Sequence, residues 1–227
     1  MKEPQLFFDI MLHFGTLFAV VVYFRMDLWK MVKGIKAVLK GSEKNREGVN
    51  LFLWIILATL PTGFMGLFLK DWFESLFNRP ERVGWMLLVT GGFLWLTRWV
   101  KREGRPLEKM RWTDAVLIGI AQGIAITPGI SRSGATISTG LFCGLDRELA
   151  GRFSFLLSIP AILGAALLEI RKLDSGDKLW MVLIGTAVAF GVGLLALTFL
   201  LRIVKMGKIC NFSYYCCVIG AVMVIFF

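Results

Sequence analysis

Carboxylates are scarce in this 227-residue chain: 16 Asp and Glu stand against 26 Lys and Arg, beside a single His. Charged residues make up 19% of the sequence and fall mostly between long apolar runs. With 56% hydrophobic residues, against about 45–50% in soluble domains, the composition excludes an ordinary globular protein. The mean hydropathy of +0.69 agrees. A net charge of +10 would point to nucleic acid in a soluble domain, but here it reads as basic loops facing anionic headgroups. Nucleic acid is therefore not an expected partner. The four cysteines (Cys143, Cys210, Cys216 and Cys217) lie in apolar stretches without a CxxC pair or companion histidines. They read as packing residues, not as a metal or redox site. No HExxH, Walker-type or GxSxG string occurs, which excludes the enzyme classes those motifs mark. Lys2 is followed by Glu3 and no small-residue cleavage site follows the first apolar run, so no signal peptide is expected.

What is present is a set of runs near the roughly twenty residues that a spanning helix needs. They are Leu6–Phe24, Leu51–Leu69, Val83–Val100, Phe153–Ile170, Leu179–Leu201 and Ile209–Phe227. Trp54, Trp72, Trp85, Trp95, Trp99 and Trp112 gather toward the span ends, as interfacial anchors do. A seventh stretch, Asp114–Leu145, is long enough to cross but carries TPGISRSGATIST (Thr127–Thr139) at its centre. Arg132 in that setting is costly and so marks a functional site. Pro128 has no N–H to donate, Gly129 permits positive φ, and Ser131 or Ser133 can cap a new helix. The expectation is two half-helices, Asp114–Thr127 and about Ser133–Leu145, meeting at a polar turn. Helix N-terminal N–H groups, hydroxyls and a guanidinium would then converge, which suits an oxyanion or phosphate.

The loop charges fit a stretch that enters and leaves on one side. Arg25–Val49 carries seven Lys and Arg, Lys101–Thr113 five, Asp146–Arg152 two and Arg202–Lys208 three. Lys70–Arg82 has three, offset by Asp71, Glu74 and Glu81, and Arg171–Lys178 has three. A re-entrant hairpin at 114–145 puts the first four loops in the cytoplasm and both termini outside. The expected fold is an all-α polytopic membrane protein: an inverted-repeat helical bundle with six spanning helices and one re-entrant hairpin. The whole of 1–227 forms one transmembrane domain. Its first repeat, 6–100, has three spans, and its second, 114–227, has the hairpin plus three spans. LATLPTGFMGL and LIGTAVAFGVGL share Thr59 with Thr186 and Gly66 with Gly193 as a faint internal echo. A matching first hairpin would take roughly thirty residues at helical rise. Five residues precede Leu6, so that hairpin is expected to be missing.

Individual polar residues keep alternatives. Arg132 binds an anion or pairs with a carboxylate such as Asp9 to lock two helices. Ser131, Ser133 and Thr136 are ligand contacts or helix-bonded hydroxyls. Gln122 either faces the site or bonds a neighbouring helix. Asp9 and His13 stand four apart on one helix face near Thr16, an acid/base pair or a satisfied structural histidine.

GIAQGIAITPGISRSGATIS (Gly119–Ser138) resembles the undecaprenyl-diphosphate phosphatase, or bacitracin-resistance BacA, family. FSFLLSIPAILGA (Phe153–Ala165) and FDIMLHFGTLFAVVVYF (Phe8–Phe24) are similar to it too, so the likeness runs over essentially the whole chain. The resemblance implies a multi-pass enzyme of the bacterial plasma membrane that hydrolyses undecaprenyl diphosphate, recycling the lipid carrier of cell-wall synthesis. It implies an inverted-repeat fold with two re-entrant hairpins and dependence on a divalent cation, Mg or Ca. Ser131, Arg132 and Thr136 fall on the family's second, diphosphate-binding motif and are the expected catalytic residues. Gln122, Gly129, Ser133 and Gly134 are the expected substrate-binding positions. The family's first motif, a glutamate-rich helix leading into an SSTGH turn, has no counterpart in Met1–Phe7, so the usual glutamate metal ligands are absent. His13 is not the histidine of that motif. The expected partners are the polyprenyl diphosphate lipid, membrane lipids and, as an open alternative to a monomer, a second copy. Besides a phosphatase whose start is truncated or misassigned, two readings stand: a catalytically impaired fragment or lipid-diphosphate-binding, flippase-like protein, and an enzyme using Asp9 and His13 as its acid and base.

Overall fold

In hydrocarbon every backbone polar group must be satisfied within the protein, and helices achieve this segment by segment. The computed structural model describes residues 3–41, 46–69, 72, 73, 76, 80–101, 103–169 and 179–226, with side chains for all except 3–7, 9, 10, 80, 168, 169 and 179. Most of the expected loop at 70–79, the loop at 171–178 and the side chain of Asp9 lie outside that description. Among the described residues every regular element is helical, joined by one isolated backbone bridge between Arg105 and Leu145. The α-helices are α1 (Glu3–Tyr23), α2 (Arg25–Leu39), α3 (Arg46–Phe68), α4 (Pro80–Leu96), α5 (Trp112–Ile124), α6 (Arg132–Phe142), α7 (Arg147–Glu169), α8 (Leu179–Lys205) and α9 (Phe212–Phe226).

Four described segments are long and apolar enough to cross a membrane: Arg46–Phe68, Arg147–Leu167, Trp180–Lys205 and Ile209–Phe226. A fifth arises if α1 and α2, bent by 70°, are counted as one span. The run expected as Val83–Val100 forms the shorter helix α4 and a 3-10 turn, Thr97–Trp99. One expectation needs correcting. Arg25–Val49 was read as a basic loop, yet most of it is α2, because burial of Met31 and Gly34 gives the lysine-rich stretch a face to pack.

The chain divides into two compact units, Met1–Val49 with Phe155–Leu200, and Asn50–Ser154 with Leu201–Phe227. In the first unit α1 and α8 touch through small residues, which let backbones approach. A Cβ on Gly15 would stand 2.5 Å from the Thr186 carbonyl oxygen, and one on Gly193 would stand 3.2 Å from Ala19 Cβ. Thr186 Oγ1 lies 2.8 Å from Val182 O and 3.3 Å from Met11 O, and Phe18 meets Phe190 at 5.3 Å between ring centroids.

The second unit holds the polar turn. Here α4 and α9 meet along a glycine seam, with Gly84 against Gly220 and Gly91 against Cys217, and Trp95 edge-on to Tyr214 at 5.6 Å. Helix α5 packs on α3 so closely that a Cβ on Gly119 would collide with the Ala58 carbonyl. Thr62 Oγ1 lies 2.8 Å from the Gly119 carbonyl oxygen and 3.2 Å from that of Ala58, so its proton ties the two helices.

Candidate functional site: the turn between α5 and α6

Helix α5 ends at Ile124, three residues before the expected Thr127, since Pro128 disfavours helical conformation in the residue ahead of it. The chain tightens first, Ile126 N donating to Gly123 O and Thr127 N to Ile124 O. Gly129 then takes φ +89°, and a Cβ there would strike the Val83 carbonyl of α4. Both conformation and space demand glycine. Gly129→Ala is expected to destabilise the protein by about 2–3 kcal/mol, read as thermal unfolding in detergent. An unchanged transition would contradict the packing of this turn on α4.

Thr90 of α4 holds the far side of the turn. Its hydroxyl lies 3.1 Å from Met86 O and 3.2 Å from Gly129 O, sharing one proton between them, and accepts from Ser131 N at 3.2 Å. Ser131 is the N-cap of α6, and its Oγ accepts from Gly134 N at 3.1 Å. A Cβ on Gly134 would crowd that Oγ at 3.0 Å, so the glycine keeps the cap close. Helix α6 therefore begins at Arg132, one residue earlier than the sequence suggested, because Ser131 is the residue that caps it.

Capping leaves a specific set of donors open. The Arg132 guanidinium, the backbone N–H groups of Arg132 and Ser133, and Ser133 Oγ have no hydrogen-bond partner among the described residues. Arg132 is exposed, and Ser131 and Ser133 are half-buried. Gly119–Leu145 contains no Asp or Glu. The open groups are donors, one of them cationic, at the positive end of a helix, and their natural complement is a multiply charged oxyanion.

Two of the expected site residues are engaged elsewhere. Thr136, 1% exposed, bonds back to Arg132 O at 2.8 Å and shares a hydrogen bond with Ser154 Oγ of α7. Gln122, 2% exposed, donates through Nε2 to Thr62 Oγ1 at 3.3 Å, tying α5 to α3. His13 is exposed on α1, where Thr16 Oγ1 donates to its carbonyl oxygen at 2.9 Å; Asp9 is on the same helix. Both belong to the first unit, whereas Gln122, Gly129, Ser131, Arg132, Ser133, Gly134 and Thr136 are together in the second.

The opposite ends of α5 and α6 are fastened by Arg105, read from sequence only as a loop charge. Its Nη2 donates to Asp114 Oδ1 at 3.0 Å and to Cys143 O at 2.6 Å, and its Nη1 donates to Lys109 O at 2.7 Å. Asp114 Oδ2 accepts from Arg111 N at 2.8 Å. The Arg105 backbone donates to Gly144 O and accepts from Asp146 N. An acidic residue in the first turn after Arg111 was the available signal for the Asp114 part of this clasp. Thr62, Thr90 and Ser154 gave none, being single hydroxyls inside apolar runs.

Among the described residues no group of three His, Cys, Asp or Glu could hold a metal ion. The donors at the turn suit an anion and do not fit the divalent cation that the resemblance implies, so no chemical step is drawn through one.

Comparison with known proteins agrees with the family resemblance of the sequence. The profile of the family described as "Bacitracin resistance protein BacA" matches residues 1–222. A protein named undecaprenyl-diphosphatase from Desulfosudis oleivorans is 47% identical over 230 residues, covering 97% of this chain and 84% of the relative. One of the same name from Desulforapulum autotrophicum is 44% identical over 234 residues, covering 98% and 85%. Another, from Methanothermobacter thermautotrophicus, is 48% identical over 171 residues, covering 73% and 94%. A match that takes in α1, the α5–α6 turn and most of α9 places this chain in the BacA family.

Proposed function

We propose that this chain hydrolyses undecaprenyl diphosphate to undecaprenyl phosphate and inorganic phosphate in the cell membrane, and that the α5–α6 turn holds the diphosphate. One observation carries the assignment of the site. An arginine, two backbone N–H groups and a serine hydroxyl stand open together at a capped helix start, in a chain whose relatives bear the name of this reaction.

The mechanism uses these groups as charge stabilisers. The Arg132 fork takes two phosphate oxygens, the N–H groups of Arg132 and Ser133 take a third, and the Ser133 hydroxyl and the free proton of Ser131 complete the cradle. A nucleophilic oxygen attacks the distal phosphorus as its bond to the bridging oxygen breaks. The electron pair leaves with undecaprenyl phosphate, and a proton from the attacking oxygen is released. In phosphoryl transfer such positioning and electrostatic stabilisation supply most of the catalysis. The attacking oxygen is that of water, which gives inorganic phosphate directly, or of a serine hydroxyl, in which case water then attacks the phosphoserine phosphorus, its P–O bond to serine breaks, and phosphate and the free hydroxyl are restored. No step is assigned to Asp9 or His13. Thr136 and Gln122 act as positioning residues: the first fixes α6 on α7 through Ser154, the second α5 on α3 through Thr62.

The finer architecture belongs to the same proposal. α5 and α6 form a re-entrant hairpin beside six spans arranged as inverted repeats, and two copies could form a homodimer. The Arg105 clasp supports the hairpin, since one side chain reaches the start of α5 and the carbonyl that closes α6. Register on α4 supports a deep tip. Thr90, which binds Ser131 N, lies within a few ångströms of the middle of that 17-residue helix, taking about 1.5 Å per residue. Purified protein in lipid nanodiscs should release one phosphate per undecaprenyl diphosphate. Binding of the lipid without release would support a carrier instead.

A further inference from the structure

Helix α2 is unusual in facing three ways. Met31 and Gly34 are buried. Leu28, Val32, Ile35 and Leu39 recur at helical spacing on a second face, where Val32 and Leu39 are exposed and the other two half-buried. Lys33, Lys36 and Lys40 share a third face with Trp29, all exposed. Lys33 Nζ sits 5.3 Å from the centre of the Trp29 ring. Next to this face Lys30 is paired with Glu47 at 3.5 Å, which leaves the other three lysines without a salt bridge among the described residues.

The 70° bend after α1 turns this helix. Where α1 runs along the membrane normal, α2 lies close to the membrane plane. An apolar strip about a quarter-turn from a lysine and tryptophan face is the pattern of a helix seated at the boundary between headgroups and acyl chains. The lysine stems reach along the apolar surface and carry their ammonium groups to the phosphates.

We propose that α2 is an interfacial helix that binds an anionic phospholipid surface. Its Leu28–Leu39 strip enters the acyl boundary, and Lys33, Lys36 and Lys40 hold acidic headgroups. The charge of the face selects the occupant, and its continuity with α1 brings it to the bilayer. This proposal uses none of the residues of the α5–α6 turn and does not depend on their role.

The test uses the full chain in nanodiscs, with Trp29 emission taken as the difference between wild type and W29F. Brominated phosphatidylglycerol is expected to quench Trp29 more strongly than brominated phosphatidylcholine, by about five-fold or more given the attraction of each lysine to an anionic surface. In K33Q/K36Q/K40Q that preference should fall to parity. Equal quenching by both lipids in the wild type would overturn the proposal, as would binding of an acidic protein or RNA in place of phosphatidylglycerol. A second reading is independent of the lysine variant's folding. Val32→Cys should react with a water-soluble maleimide several-fold more slowly than Lys33→Cys, over the background of the native cysteines. Equal rates would place the strip in water and reject its burial.

Discussion

Arg132→Ala is expected to lower kcat/KM for undecaprenyl diphosphate by about 10³-fold while leaving thermal unfolding unchanged. The two halves of that expectation come from the same geometry. The guanidinium is exposed at the first position of α6 and bonds to no described residue, so truncating it removes no described internal contact. If the turn holds the diphosphate, what disappears is the charged fork and with it the strongest stabilisation of charge building on the phosphates. Arg132→Lys keeps the charge and loses the paired donors. It should recover only part of the rate, because an ammonium is a point charge that cannot grip two oxygens in a plane. The alternative role, an arginine that locks two helices through a carboxylate, reverses the pattern. Stability would then fall, and lysine would serve almost as well. Kinetics and unfolding measured on both variants separate the two.

The second large effect is expected at the other ends of α5 and α6, far along the helices from the turn. Arg105→Ala should destabilise the protein by about 3 kcal/mol, because it strands a carboxylate whose side chain is only 6% exposed. It also strips the Cys143 carbonyl of its donor. Asp114→Asn should cost less, about 1–2 kcal/mol, since the amide oxygen can still accept from Arg111 N. The double variant should be less damaged than the sum of the two, as expected for partners in one buried pair. Unfolding in detergent reads all three. If Arg105→Ala melted like the wild type, the clasp would not be what fastens α5 to α6. Activity should fall together with stability here, which distinguishes this site from Arg132.

Much of the turn was legible because its chemistry is local. Proline without an N–H, a glycine able to take positive φ and a capping serine interrupt a helix within a few residues, and the break lies between Ile124 and Arg132. The boundaries moved slightly for equally local reasons: Pro128 ended α5 early, and Ser131 started α6 one residue sooner. Contacts between distant stretches were not legible. Thr90 and Thr62 resemble any hydroxyl in an apolar run until the partner backbone, 39 to 57 residues away, is placed beside them. Separation along the chain also hid the direction of Gln122 and Thr136, whose partners on neighbouring helices lie 60 and 18 residues away. Helix α2 was missed for a different reason. Its lysines answered the question of which side a loop faces, and the apolar spacing between them went unused.

The central claim is that the open donors at the start of α6 receive the diphosphate. Amide NMR of isotope-labelled protein titrated with undecaprenyl diphosphate observes those donors directly. The account predicts downfield shifts of the Arg132 and Ser133 amide protons as each gains a charged acceptor, with the Gly134 amide, already capped by Ser131, moving least of the three. Saturable binding that leaves the Arg132 and Ser133 amides in place while shifting residues elsewhere would contradict it.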